Sequence, residues 1–483
     1  MIKEITSKLY KNKLVKSGFW YTIGTLFLQG ISFLTAPIFI NILTTSEYGV
    51  VQKYNAWFAI FTIVVSLGLV SSVSRSKFDF EDKYDDFLSS VLLLASIVFV
   101  ICLTIGMLFR NQIAGVLFNK GIAQITTEDT VLVLFLIIQG FFTFIINFCN
   151  TKFTVLYKYR EYLFVAITSA LMNVIVSIIF IKNLSCSRYM SRIGAVVLVN
   201  VLYGMFLYVF TIRKGKISIN KEYWKYALGI SIPLIPHVLS AVILSSFDRI
   251  MLGNMIDDKA AGIYSFAYTV AGILYVIWTA LNKAWVPYFF ENMKKENFND
   301  IKKKYKNYIM IFSLITFMMI FVSPEIGKII AFRSPNYWRG LNLIPIILFS
   351  NYFVFLYSLP SNLEFYMKKT YLISIGTISA GILNIILNYI FIPKLGYIAS
   401  AWTTLISYIV LFIYHYIMAN RMHSKKIFEA KYFGLSIVFM LFVCGVFYFI
   451  KDNWLIRYIF VLLIFSILAY KSKNFIKTYL RQY

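Results

Sequence analysis

LTTSEYGVVQKYNAWF, Leu43–Phe58, and IDDKAAGIYSFAYTVA, Ile256–Ala271, align at a spacing of 213 residues that pairs Gly49 with Gly262. A second pair lies far from the first: NVIVSIIFI, Asn173–Ile181, matches NIILNYIFI, Asn384–Ile392, at a spacing of 211. Near-equal offsets at two distant places mark an internal duplication. Outward from these anchors the chain is apolar almost throughout: of 483 residues 59% are hydrophobic, 18% aromatic and only 14% charged. That balance excludes a water-soluble enzyme, for which about a quarter of the residues would be charged.

Apolar runs of about 20 residues, the length that crosses a bilayer as a helix, recur fourteen times, at 19–42, 48–72, 88–109, 130–151, 162–181, 193–212, 228–253, 263–288, 307–323, 342–362, 371–392, 399–420, 433–450 and 455–470. Continuous runs of this length do not alternate as barrel strands do, so every span is expected to be helical. The expected fold is an all-α integral membrane protein of about 14 transmembrane helices. Because six spans return the chain to the side where it began, the repeats are parallel, related by an axis along the membrane normal. The expected division is an N-lobe over 1–212, a cytoplasmic linker over 213–227, a C-lobe over 228–420, and two further spans with a tail over 421–483.

Of the 47 Lys and Arg residues, 32 fall in the tails and loops of one side. Cationic loops stay in the cytoplasm, so both termini are expected there, and the net charge of +26 faces anionic headgroups rather than nucleic acid. The run from Phe19 to Leu43 is longer than the apolar region of a signal peptide and reads as a retained first helix. Cys102, Cys149, Cys186 and Cys444 form no CxxC pair and read as packing residues. FDFEDKYDDF, Phe78–Phe87, reads as a solvated cytoplasmic turn.

Glu47-Tyr48-Gly49, the stretch DRIMLGNMIDDKAAGIYSFAY from Asp248 to Tyr268, and AWVPYFFE from Ala284 to Glu291 carry a resemblance, supported by the fourteen-span, two-lobe layout. The chain resembles the polysaccharide transporters of the multidrug/oligosaccharidyl-lipid/polysaccharide exporter superfamily, which include the flippases for O-antigen and capsule repeat units. The resemblance implies a non-enzymatic flippase in the bacterial plasma (inner) membrane. It would move a polyprenyl-pyrophosphate-linked oligosaccharide from the cytoplasmic to the outer leaflet by alternating access, working with membrane lipids and with polysaccharide polymerase and chain-length machinery. It further implies that spans 1, 2, 7 and 8 line the central cavity. No cofactor, metal or nucleic acid is expected.

An ionised side chain at the centre of a span costs about 2.5–3.5 kcal/mol, so the charges within spans are the first site candidates. Arg249 and Asp248 lie near the outer end of span 7. Arg249 either binds an anionic group in a water-filled cavity or snorkels to the headgroups, and Asp248 either orients it, takes a coupling ion or satisfies local polar groups. Lys283 in span 8, Lys53 one turn into span 2, and Arg75 closing span 2 are the other cations that a crossing pyrophosphate would need. Gln29, Asn55, Tyr268 and Asn282, with Trp57, Tyr264, Tyr275 and Trp278, offer hydrogen bonds and rings to a sugar, or anchor the helices. His237, after Pro233 and Pro236, and Glu364, at the inner end of span 10, are the other ion-coupling candidates. Asn147, Asn150, Asn173, Asn384 and Asn388 are expected to tie helices within the lobes, and His415 to be structural.

The same fold with another cargo would give a peptidoglycan-precursor flippase or a multidrug/cation antiporter. The antiporter is disfavoured because the pairs of spans that would line the cavity are richer in Lys and Arg than in acids. A membrane polymerase acting on the same sugars would need a sizeable outer loop or a carboxylate cluster for general acid and base chemistry, and the longest outer loops, 110–129 and 324–341, are short.

Overall fold

A computed structural model describes residues 13–423, 425, 427–464 and 466. Among them the regular structure is helical: α1 Lys13–Ile42, α2 Thr45–Ser66, α3 Val70–Asp79, α4 Tyr84–Leu108, α5 Arg110–Phe118, α6 Thr127–Val155, α7 Tyr159–Asn183, α8 Arg188–Ile212, α9 Lys221–Ser231, α10 Ile235–Met255, α11 Asp258–Lys294, α12 Phe298–Ile330, α13 Ile344–Tyr366, α14 Thr370–Leu395, α15 Tyr397–Met422 and α16 Ala430–Ile450, then a short apolar helix, α17, Trp454–Ile464. Twelve described segments are long and apolar enough to cross a membrane, and Phe33–Ile42 and Trp454–Ile464 are shorter apolar helices. The protein is a multi-pass membrane protein. The expected fourteenth span runs on into residues outside the described part of the chain.

The helices overrun the apolar stretches because their polar ends are capped. Thr44 accepts the Glu47 amide while the Glu47 carboxylate takes the Thr44 amide, a reciprocal capping box that starts α2. Thr126 and Asp129 do the same for α6. The Asp257 carboxylate caps α11 at the Ala260 amide, 2.7 Å away, and α11 then runs 37 residues, about 55 Å of helix.

Two expected spans are interrupted. Span 2 breaks at Leu67 and Gly68, both left-handed with φ of 48° and 64°, before α3 carries the chain on to Asp79; glycine enters that region freely, leucine at a cost. Span 7 consists of α9, a 3-10 turn over Ile232–Leu234, and α10, broken where Pro233 and Pro236 withhold amide donors.

The chain divides into two compact units. The first runs to Ser265 and takes in Thr377–Ser400, and the second comprises Phe266–Gly376 and the chain from Ala401. In the first, Phe141, Phe144 and Phe148 of α6 are buried against Leu69, Val73, Phe87 and Val91, and Phe99 stacks on Phe141 with centroids 4.2 Å apart. In the second, Phe312 packs on Phe355 at 4.2 Å, and Phe321 meets Phe447 and Phe460. Apolar side chains also cover the outside: Leu198, Leu202, Met205 and Phe206 of α8 are exposed at the i, i+4, i+7, i+8 spacing of one helix face. Lipid supplies no hydrophobic drive between helices, so close packing must hold them together.

Candidate functional site

The repeat's two glycines meet at a tight helix crossing in the first unit. A Cβ at Gly49 on α2 would run into the Asp258 carbonyl, and one at Gly262 on α11 would run into the Thr45 carbonyl and lie 3.2 Å from the Gly49 nitrogen. Residues four apart share a helix face, so this contact carries Lys53, one turn beyond Gly49, to Asp258, one turn before Gly262. Their Nζ and Oδ1 atoms are 2.6 Å apart, with the Lys53 side chain 5% and the Asp258 side chain 30% exposed. Gly253 makes room for the lysine stem, since a Cβ there would sit 2.7 Å from Lys53 Cδ. The Phe118 ring lies 5.5 Å from the ammonium. Trp57 Nε1 and Asn254 Nδ2 both donate to the Leu117 carbonyl, at 3.1 and 3.0 Å, tying the end of α5 to α2 and α10 beside the pair.

The repeat offset equates Lys53 with Phe266 and Asp258 with Thr45, so the ion pair occupies only one of two positions that the duplication makes equivalent. Removing one member of a buried pair is costly because it strands the other charge. A phosphate oxygen, being an equivalent anionic acceptor, can take the ammonium from Asp258 by exchange.

A second polar node lies on α10. Asp248 is fully buried; its Oδ2 accepts the Tyr264 hydroxyl at 2.6 Å and its Oδ1 the Asn388 amide at 2.5 Å, and Asn388 also donates to Asn384 Oδ1 at 3.2 Å. Asn388 thus ties α14 to α10, with Asp248 at the junction of α10, α11 and α14. Arg249 points elsewhere: its Nη1 donates to the Ser245 carbonyl one turn back, at 2.7 Å. His237 Nδ1 meets Thr377 Oγ1 at 3.1 Å. Arg75 is exposed and paired with Asp79 at 3.3 Å, Asn55 is exposed, and the Gln29 side chain on α1 lies outside the described part of the chain.

In the second unit Lys283 is exposed, while Tyr268 and Asn282 are half-buried, and the buried Oδ1 of Asn282 has no hydrogen-bond partner among the described residues. Trp278 Nε1 donates to Ser358 Oγ at 3.3 Å. Glu364 and His415 form a wholly buried pair, Oε1 to Nδ1 at 2.8 Å with both side chains 0% exposed. The Tyr357 ring stacks on the imidazole at 5.6 Å. His415 is therefore the partner of a coupling candidate, which its lone position in span 12 does not reveal.

Several contacts differ from the sequence reading. The Phe78–Phe87 run is no free turn: Asp85 takes the buried Lys152 ammonium at 2.6 Å, Asp86 accepts the Lys216 amide at 2.7 Å, and Asp79 accepts the Tyr226 hydroxyl. Asp258 was missed because IDDK reads as a loop, although its register with Gly262 was visible in the repeat. Arg192, one residue outside the expected span 193–212, lies inside α8 with its guanidinium 3.9 Å from the Phe39 ring centroid.

Twelve described apolar helices long enough to cross a membrane, with polar side chains tied together among them, define a polytopic membrane protein. The chain belongs to the polysaccharide biosynthesis protein family, whose profile matches residues 14–293. It is similar to the lipid II flippase MurJ in an inward closed conformation, with a TM-score of 0.72 at 18% identity over 94% of this chain and 99% of that one. It is also similar to an inward-facing multidrug MATE transporter of the MOP superfamily, with a TM-score of 0.63 at 16% identity over 81% and 95%. Lsg locus putative protein 1 of Haemophilus influenzae is 24% identical over 379 residues, 75% of this chain and 87% of that relative. An uncharacterized membrane protein of Methanocaldococcus jannaschii is 22% identical over 494 residues, 91% and 94% of the two chains.

Proposed function

We propose that this protein is a flippase that carries a polyprenyl-pyrophosphate-linked oligosaccharide of the O-antigen or capsule type across the bacterial plasma membrane, with both termini in the cytoplasm. The observation that carries the reading is membership of a polysaccharide biosynthesis family by a chain with twelve described membrane-length apolar helices. The work is translocation rather than bond-making. Lys53, Arg249, Lys283 and, at the inner mouth, Arg75 compensate the pyrophosphate, and Gln29, Asn55, Tyr268 and Asn282 contact the saccharide. In the resting state Asp258 holds Lys53 in place of the phosphate. Asp248, His237 and Glu364, the last with His415, are the groups proposed to take a coupling ion; moving one charge through 100 mV is worth about 2.3 kcal/mol. The two six-span halves alternate between inward and outward openings, and polysaccharide polymerase and chain-length machinery act on the product.

Likeness to MurJ supports a second cargo, a peptidoglycan precursor, which also presents a lipid-linked diphosphate. Deleting the gene in its host and probing spheroplasts with a membrane-impermeant sugar reagent tests the proposal. Complete repeat units stranded on the cytoplasmic leaflet support it. Units that reach the outer leaflet unpolymerised overturn it in favour of an enzyme, and stranded peptidoglycan precursor selects the second cargo.

A further inference from the structure

Within the first unit lies a cavity of about 530 Å³ among α2, α3, α6, α7, α9 and α10, whose polar lining includes Thr62, Ser66, Asn147, Asn150, Tyr162 and Ser231. Gly68 of the break between α2 and α3 lines it, and none of the lining residues is charged. Asn147 and Asn150, expected to clasp helices, instead border this space. The buried Asn150 Oδ1 and Ser231 Oγ have no hydrogen-bond partner among the described residues. A buried polar atom left unbonded is destabilising, and two beside one cavity point to an occupant that supplies the missing bonds.

The chemistry of the lining selects that occupant. Hydroxyls and carboxamides both donate and accept, as the hydroxyls of a sugar do. Thr62 spends its proton on the Phe58 carbonyl at 2.8 Å and so keeps lone pairs for an incoming hydroxyl. Tyr162 adds a ring against which a sugar's C–H face can pack. An acidic sugar would find no cation in the lining and a cationic drug no carboxylate, and a prenyl chain would strand the polar atoms. The volume is within the range of about 300–1,000 Å³ usual for small-molecule sites. The cavity borders the ends of α2 and α6 that the Lys and Arg distribution assigns to the cytoplasm, where a lipid-linked sugar is made.

We propose that this cavity is a subsite for a neutral, hydroxyl-rich sugar residue of the cargo, selecting against acidic sugars. The inference rests on the lipid-linked saccharide reading above and specifies where its sugar is read.

The test measures equilibrium binding of three probes to the purified full chain in nanodiscs: a bare polyprenyl pyrophosphate, the same lipid bearing N-acetylglucosamine, and the same lipid bearing glucuronic acid. The neutral-sugar probe should bind about tenfold tighter than the other two, the gain of two or three net hydrogen bonds. The double substitution Asn150→Leu with Ser231→Val should erase that preference while leaving affinity for the bare lipid unchanged and without lowering the thermal midpoint. Thr62→Val, conservative in shape, should reduce the preference in the same direction if the double variant is poorly folded. Equal binding of all three probes overturns the subsite and leaves the flippase reading standing. Binding of none overturns both. A preference that survives in well-folded cavity variants places sugar recognition elsewhere and refutes the inference.

Discussion

Gly49 and Gly262, equivalent in the repeat, meet each other at the crossing of α2 and α11, so close that neither helix has room for a Cβ at that point. Both halves of this contact are equivalent in the duplication, whereas the charge pair one turn away is not, since the offset gives Lys53 and Asp258 no charged counterparts.

Gly49→Ala should lower the thermal midpoint in detergent, because the methyl meets backbone that cannot swing aside; overpacking of this kind costs about 1–3 kcal/mol. Gly229→Ala is the control. A Cβ there meets nothing within 4 Å, and helix propensity favours alanine by about 1 kcal/mol. Equal losses at the two positions would contradict the crossing.

Lys53→Ala and Asp258→Asn should each destabilise the protein, by less than the roughly 3–5 kcal/mol of a fully buried pair because the Asp258 side chain is 30% exposed. A double-mutant cycle read by thermal unfolding should return a coupling of about 1 kcal/mol or more. Additive losses would mean that the pair contributes no mutual energy.

Arg249→Ala should impair export while leaving expression and folding intact. Its guanidinium donates to the Ser245 carbonyl of its own helix, and the proposed pyrophosphate contact is what the substitution removes. Surface polysaccharide and thermal midpoint, measured together, decide the matter: wild-type export by the variant removes Arg249 from the site.

Glu364→Ala should cost several times the stability lost in Glu364→Gln, because the alanine strands the buried His415 ring whereas the glutamine keeps a hydrogen bond to it. Export should fall in both. Normal export by a stable Glu364→Gln variant would assign the pair a purely architectural role.

The spans were legible because hydropathy records burial in lipid directly, and the repeat was legible because its offset recurs at two places. Helix ends were not: capping by Thr44, Thr126 and Asp257 extends helices into polar stretches that hydropathy scores as loops. The break at Leu67–Gly68 hides inside an apolar run, where one glycine is a weak signal. Within the site, Lys53, Asp248 and Glu364 stand out as charges in apolar context. Their partners Asp258, Asn388 and His415 are 205, 140 and 51 positions away, and polar residues at such separations announce themselves only when the chain is folded.

The uncharged lining of the α2–α6–α9 cavity separates two kinds of recognition by their response to salt. Coulombic attraction between exposed charges fades over a Debye length that shrinks to about 3 Å at 1 M, whereas hydrogen bonds between neutral groups are hardly touched. Raising ionic strength should therefore weaken binding of every pyrophosphate-bearing probe alike while leaving the ratio between neutral-sugar and bare lipid intact, so that a brine dims the protein's view of the phosphate without touching its view of the sugar.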